Sequence, residues 1–558
     1  MRQLVLLCDG TNNNLTGAAQ DTHVVALAEL LRADPDDERV VFYDPGVGNP
    51  GELPGTTVWD KAQRQFERID SLAFGRGVFD NIAEGYRFLM RQWRSDQDEI
   101  WLFGFSRGAF TARSIAGLVN RFGILQPQMA SMVPTLLHLY FSDATPQGDA
   151  IGTQASRLFA VAPLRKPFVQ FVGVWDTVAT VGTWPFSLRI KAKPTLRDKR
   201  FVHVRQALAL DEHRAQFVPR AYAENNGPIQ LADGQTGSIS QQWFRGAHCD
   251  VGGGYALTES RLARAPLTWL VSEAVQCGLR LRQGGQPLNS EASAAAAVAQ
   301  VIQQITGKPD PVTTGAAHPT VHCQLHITPL WALSGMALRD TRLVAVDDVP
   351  DVPARMGEHP SVGHWNAVFP NDTAWRRSGI TAWWWMFLVV ACFGVVAIGH
   401  LSLGATWQVR DCLETNLRFQ LWQLTAIFSS DPVGWSTVSA FKSPRWAVVW
   451  DLALIASYAC VLSTLAARAF AHAAGLNRLG RRVPKALNVL GWALPVALFA
   501  DLGENLFTWV TLTLGHNELW ALAWLSALGM AIGSVIKIVG LVGVLGLIFG
   551  WRVVRARP

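Results

Sequence analysis

Residues 98–117 read DEIWLFGFSRGAFTARSIAG, and the reading of this stretch decides the fold. It begins with an apolar run, Ile100-Trp101-Leu102-Phe103, short enough for a buried strand. Gly104-Phe105-Ser106-Arg107-Gly108 follows, a G-x-S-x-G. Small and apolar residues then recur at helical spacing: Ala109, Ala112, Ile115, Ala116 and Val119. Strand, sharp turn with a serine at its apex, then helix: this is the nucleophile elbow of an α/β-hydrolase. A serine on so tight a turn projects its hydroxyl above the sheet. The flanking glycines let strand and helix approach each other without side-chain clash, and amides at the helix N-terminus can stabilise developing negative charge. The competing reading is an ordinary strand–helix turn with a capping serine.

Working outward, the 558-residue chain is too long for one ordinary domain and implies two or three. It is 49% hydrophobic and only 16% charged, with 23 tryptophans, and the apolar excess sits in the last third. A net charge of +6 with no basic run excludes a nucleic-acid partner. Seven scattered cysteines without a C-x-x-C argue against a disulfide framework and a zinc site, and suit a reducing compartment. The apolar run from Leu4 to Cys8 is too short for a signal-peptide core and reads as a first strand, so no Sec-type export signal is expected.

That strand ends in Asp9-Gly10-Thr11, a turn at the sheet edge where functional loops gather. A helix over 21–31, a strand over 39–43, a Gly-rich flap over 49–79 and a helix over 79–94 lead to the elbow. After it, Phe168 to Trp175 is a strand ending in Asp176, and residues 196–217 contain a helix. A short strand, Gln242 to Phe244, ends in Gly246-Ala247-His248-Cys249-Asp250, and a helix over 260–277 follows. The order is that of an α/β domain with a mostly parallel sheet.

A serine hydroxyl needs an imidazole to take its proton and an acid to orient that imidazole. In α/β-hydrolases the chain order is Ser, acid, His, which Ser106, Asp176 and His248 satisfy, both partners lying just past strands. Asp176 could instead be a helix cap, and His248 a satisfied buried histidine. Asp211 is the rival acid, in a cluster (Leu210 to Arg214) that also reads as a salt-bridged helix end. His203 and His213 read as helix surface or supporting residues, and His322 and His326 sit on a strand-like segment. Asp250 shapes the Gly-rich loop. The backbone amide of Arg107 is one oxyanion donor, and Gly10 or Thr11 the other.

Four separated motifs now agree: LLCDGTNNN, GFSRGAFTAR, VWDTVATVG and WFRGAHCDVGGGY. Together they resemble the catalytic domain of type VI secretion phospholipase effectors, an α/β-hydrolase family. YDPGVG (Tyr43 to Gly48) and ALALDEHRAQF (Ala207 to Phe217) also resemble its pattern. The resemblance covers residues 1–280 and, more weakly, reaches about 370. It implies a triad of Ser106, Asp176 and His248, a phospholipid ester substrate and no metal or other cofactor.

From Ile380 the composition changes. Spans are expected near 380–403, 446–467, 486–514 and 519–549, because a helix crosses a bilayer with about 20 apolar residues. Arg376 and Arg377, the Arg468–Lys485 cluster and Arg552–Arg557 fall on one side if there are four spans, which implies cytoplasmic termini. Leu413, Leu417, Leu421, Leu424 and Phe428 form a helical stripe between spans. Asp501 and Glu504 share a helix face and are expected to pair with Lys537. Gly529-x-x-x-Gly533 and Gly546-x-x-x-Gly550 permit close helix contact.

The expectation is an α/β-hydrolase domain over 1–370 followed by an all-α, multi-pass transmembrane domain over 371–558 in a bacterial inner membrane. Its expected activity is phospholipase A-like, with the lipid bilayer as partner. One alternative is a non-catalytic module on a membrane scaffold or transporter. The other is a toxin delivered to a target cell, with a secretion-system spike or immunity protein as partner.

Overall fold

The computed structural model describes residues 1–10, 21–36, 38–46, 76–142, 145–162, 169–178, 180–181, 188–189, 201–231, 234, 236–283, 285–315, 321–339, 343–346, 349–353, 356–368, 382–428, 442–478, 486–517 and 519–555. Thr11 and residues 49–75 of the expected flap lie outside these. The chain divides into two compact units. The first comprises Met1–Glu212, Gln216–His322 and Arg339–Ala374, and the second His213–Ala215, Cys323–Leu338 and Trp375–Pro558.

The first unit is built on one sheet. Its strands are β1 (Arg2–Cys8), β2 (Arg39–Asp44), β3 (Asp98–Phe105), β4 (Val169–Trp175), β5 (Phe201–Ala209), β6 (Gly227–Gln230), β7 (Thr236–Phe244) and β8 (Gly357–Glu358). The order is β6-β7-β5-β4-β3-β1-β2, with β8 also on β7. Every pairing is parallel except β6 with β7. The expected parallel α/β sheet is present. β1 is buried at all seven positions, as a strand covered on both faces must be. The order reverses at β1 and β3, so the loops after these strands diverge and leave a crevice at their C-terminal ends.

Helices cover both faces. α1 (His23–Ala33), α5 (Arg264–Gln276) and α6 (Glu291–Thr306) pack with Val5, Leu7, Trp101 and Phe103. α2 (Arg76–Gln92) and α3 (Arg107–Phe122) pack with Leu4, Leu6, Ile100 and Leu102 on the other face. Alternate residues of β1 and β3 thus feed opposite cores.

Two local expectations fail. Residues 201–209 form a central strand, not a helix. Arg205 and Gln206 inside it are buried and paired. Arg205 Nε donates to Glu273 Oε2 at 2.5 Å, and Gln206 Oε1 accepts from Thr177 Oγ1 at 2.9 Å. Tertiary pairing overrides the helical composition. Among the described residues next to His322 and His326 there is no strand: a short helix, Gln324–Ile327, follows His322.

The second unit contains α7 (Ala382–Ala397), α8 (Val409–Thr425), α9 (Pro444–Arg478), α10 (Ala493–His516) and α11 (Trp520–Arg555). Among the described residues, three stretches are long and apolar enough to cross a membrane: Pro444–Ala474, Ala486–His516 and Trp520–Phe549. They contain the spans expected at 446–467 and 486–514 and most of 519–549. The first expected span, 380–403, corresponds to α7 and a π-helical turn, Ile398–Ser402, with a shorter apolar stretch over Phe387–Ser402. The leucine stripe lies on α8, with Leu413, Leu417 and Leu421 exposed and Phe419 and Trp422 buried. Cys323, Leu325, Ala332 and Met336, from within the expected first domain, share a core with Phe470, Leu494 and Val544. Met336 N–H donates to Gly491 O at 3.1 Å and Leu338 N–H to Asn488 Oδ1 at 2.8 Å.

Small residues bring α10 and α11 close. A Cβ on Gly533 would lie 3.2 Å from Ala500 O, and one on Gly529 2.8 Å from Phe507. Gly546 makes no such approach. Between these helices Lys537 Nζ lies 3.1 Å from Asp501 Oδ1 and also bonds Glu504. Ser534 Oγ donates to Glu504 Oε1 at 2.8 Å, Tyr458 donates to Asp501, and Asn505 Nδ2 donates to Asp451 Oδ2 at 2.7 Å. Removing one member of a buried ion pair strands the other charge and costs about 3–5 kcal/mol. Lys537→Met is therefore expected to lower the denaturant midpoint of the detergent-purified protein by that equivalent. An unchanged midpoint contradicts the pairing.

Candidate active site

The site is assembled at the C-terminal ends of β1, β3, β4 and β7. Ser106 sits between β3 and α3 with φ 58° and ψ −121°, a conformation costly for a residue with a Cβ. The neighbouring glycines permit it. A Cβ on Gly104 would lie 2.5 Å from Gly108 O, and one on Gly108 would lie 2.2 Å from Cys8 O and 2.3 Å from Asp9 O. The elbow helix thus starts hard against the end of β1.

Among the described residues, Ser106 and Asp176 are the two non-glycine residues with positive φ, 58° and 40°. Backbone bonds tie them together: Ser106 N–H donates to Trp175 O at 3.1 Å, and Val178 N–H donates to Ser106 O at 3.2 Å. Asp176 is thereby bracketed by residues bonded to the serine's own backbone. Its carboxylate is fully buried and accepts from His248 Nδ1 at 2.6 Å and from Ala209 N–H at 3.0 Å. Phe105, adjacent to Ser106, packs its ring 4.6 Å from the His248 ring, and Phe217 approaches it edge-on at 5.1 Å. A Cβ on Gly252 would overlap the Phe105 ring, so the Gly-rich loop after His248 is small where that ring needs room. The structure therefore brings together the segments carrying Ser106, Asp176 and His248.

His248 opens a short helix, α4 (His248–Gly252), in the loop after β7. Asp250 holds this loop: Oδ2 accepts from Ala247 N–H at 2.9 Å and His322 N–H at 3.0 Å, and Oδ1 meets His322 Nδ1 at 2.7 Å. Tyr255 stacks on His322 at 3.8 Å. Burial raises the Asp250 carboxyl above its ordinary range against the opposing His322 contacts. For His322, burial acts downward, but its bonds to Asp250 and then Glu259 carry it upward on balance. The rival acid Asp211 is a structural anchor, with Oδ2 3.1 Å from Arg245 Nε and 2.6 Å from Gly246 N.

The oxyanion donors divide. Arg107 is the first residue of α3, so its amide has no acceptor within the helix. Burial pulls the Arg107 guanidinium down to about 10. The Gly10 amide instead donates to Asp9 Oδ1 at 2.6 Å, so in this conformation it is engaged elsewhere than toward an oxyanion. Asp9 Oδ2 also accepts from Thr22 Oγ1 at 2.8 Å and Tyr43 Oη at 2.9 Å. His23 lies against Trp175 edge-on at 5.5 Å, and burial holds its imidazole down at about 3.

Sequence reasoning missed Arg339. Its Nη1 donates to Asp176 Oδ1 at 2.5 Å and its Nη2 to Asp176 Oδ2 at 3.0 Å. Burial acts to raise the Asp176 carboxyl, but the Arg339 charge and then the His248 bond outweigh it and hold it well below the usual carboxylate range. The one available signal was indirect: a buried carboxylate needs a cation beyond a neutral imidazole.

Residues 2–273 match the type VI secretion system phospholipase effector Tle1-like catalytic domain. That catalytic-domain match contains Ser106, Asp176 and His248, whereas Arg339 lies beyond it. Over 232 residues the chain is 29% identical to an uncharacterized protein, YEL023C, of Saccharomyces cerevisiae, covering 39% of this chain and 32% of that one. The chain thus spans about a third of the length of this curated relative. A solved structure, of an uncharacterized protein from Pseudomonas aeruginosa, aligns over 60% of this chain and 58% of its own at 18% identity and a TM-score of 0.29.

One carboxylate near the site gives a pH prediction. Asp44 accepts from Gly46 N–H at 3.0 Å and Asn81 Nδ2 at 2.8 Å, but burial still pushes it up to about 6. Since its folded value exceeds the unfolded one, its contribution to stability is fully present below about 4 and is lost as pH rises through 6. Asp44→Asn, which mimics the protonated form, is expected to raise the thermal midpoint relative to wild type at pH 7.5 and leave it unchanged at pH 4. Equal effects at both pH values contradict the assignment.

Proposed function

We propose that the protein is a serine hydrolase of phospholipid acyl esters, an α/β-hydrolase, tethered to a membrane by its second unit. The observation that carries this reading is the 2.6 Å contact from His248 to Asp176, whose backbone neighbours are bonded to the strained Ser106. The catalytic-domain match supports a lipid substrate.

In the proposed reaction Ser106 Oγ attacks the ester carbonyl carbon while His248 takes its proton. Asp176 holds the tautomer with hydrogen on Nδ1, which leaves Nε2 as the base. The Arg107 amide, with a donor from the Gly10–Thr11 turn after rearrangement, stabilises the oxyanion. The carbon–oxygen bond to the lysophospholipid breaks, and the leaving alkoxide receives the proton from His248. Water, deprotonated in turn by His248, then cleaves the acyl-serine to release a fatty acid. No metal or other cofactor enters this scheme.

Three helices long and apolar enough to cross a membrane support attachment beside the substrate. Counting the helix over 382–402 as a span gives four, with the catalytic unit and C-terminus cytoplasmic. Delivery into a target cell, with a spike and an immunity protein as partners, is the alternative context, favoured by the effector family that residues 2–273 match.

Ser106→Ala is expected to lower turnover of mixed phospholipids by at least ~10³-fold in the detergent-purified protein, read by mass spectrometry of fatty acid and lysolipid products. Turnover that survives the substitution contradicts this reading and favours a non-catalytic module.

A further inference from the structure

Asp176 lies between Arg339 and His248. Arg339 approaches with both terminal nitrogens, one to each carboxylate oxygen, at 2.5 and 3.0 Å. The same nitrogens donate to Ala209 O at 2.8 Å and Phe217 O at 2.6 Å. The Arg339 side chain is 5% exposed and that of Asp176 0%. A guanidinium fork fixes the plane of a carboxylate in a way that an ammonium cannot. Its bonds to Ala209 and Phe217 fix the fork in turn, and Phe217 also packs on the His248 ring. One side chain therefore orients the carboxylate and anchors the segment that covers the imidazole.

The charge balance follows from the same geometry. A carboxylate facing only an imidazole stabilises the imidazolium strongly. Here much of the Asp176 field is already taken by Arg339, and Arg339, whose Nη2 shares Oδ2 of Asp176 with His248 Nδ1, itself repels an imidazolium there. Among the described residues, other charged groups near His248 include Glu212, whose Oε2 accepts the His248 N–H at 3.4 Å, the Asp211–Arg245 pair beneath Gly246, and Asp250. They are the same in wild type and in variants at 339.

We propose that Arg339 is a positioning residue of the hydrolase, fixing Asp176 against His248 and limiting how strongly Asp176 favours the imidazolium. This rests on the triad reading above. It weakens the pull of Asp176 toward the imidazolium form of His248, so that hydrolysis persists further into mildly acidic surroundings than it would without Arg339.

The test is the pH profile of kcat/KM for a soluble short-chain ester, measured on the full-length protein in detergent. In wild type the acid limb is expected at or below about 6.5, the ordinary imidazole value. Arg339→Gln is expected to move it upward by about one pH unit or more, the effect of removing an opposing charge at this range. Arg339→Lys keeps the charge and loses the fork, so its limb stays near that of wild type while kcat falls. A limb unmoved in Arg339→Gln, with a uniform loss of rate in both variants, overturns the proposal and leaves Arg339 a structural residue. If Arg339→Gln does not fold, the wild-type limb decides: a value above about 7 overturns the proposal, and one at or below about 6.5 supports it. Ser106→Ala is run beside these variants. Hydrolysis that survives it rejects the triad itself, whereas loss there with an unmoved limb in Arg339→Gln rejects the Arg339 inference alone.

Discussion

The first unit depends on how one carboxylate is satisfied. Asp176 is fully buried, and burying an anion without partners is prohibitive. Its partners come from distant parts of the chain: the Ala209 amide at the end of β5, His248 after β7, and Arg339, 163 positions along the sequence. Meeting the demand of Asp176 therefore draws three segments to one sheet edge. Because Trp175 O and Val178 N–H are bonded to Ser106, the same carboxylate fixes where the elbow stands. Satisfying a buried charge and assembling a reactive site are here one physical problem.

The elbow adds a steric constraint. Ser106 keeps its strained backbone only because Gly104 and Gly108 let α3 begin against β3 and β1. The helical unit uses small residues in the same way at Gly529 and Gly533, where α10 and α11 approach closely around Lys537, Asp501 and Glu504. In both units, close backbone approach is combined with ion pairs between buried charged groups. Low dielectric makes such pairs strong and their omission costly.

Much of this was legible in the sequence. The elbow, the parallel α/β order and the Ser106, Asp176, His248 sequence follow from local patterns and chain order, and the pairing of Lys537 with Asp501 and Glu504 follows from the shared helix face of the acids and the cost of unpaired charge in a membrane. What escaped was non-local. Residues 201–209 read as helix because Val204, Ala207 and Leu208 fall at helical spacing, and the partners that Arg205 and Gln206 find in Glu273 and Thr177 belong to a buried strand. Arg339 carries no motif, since its meaning is the carboxylate it reaches. The Gly10 amide donates to the Asp9 carboxylate, a bond between neighbours that the sequence leaves undetermined. The segment Cys323–Leu338 groups with the helical unit through backbone bonds such as Met336 to Gly491, which composition does not encode.

The central claim is that Ser106 is a nucleophile activated by His248. The most direct measurement is reaction of the full-length protein in detergent with a fluorophosphonate, followed by peptide mass spectrometry. The account predicts a single stoichiometric adduct on Ser106 that is lost in His248→Gln. An unmodified Ser106, or an adduct that forms equally well without His248, contradicts it.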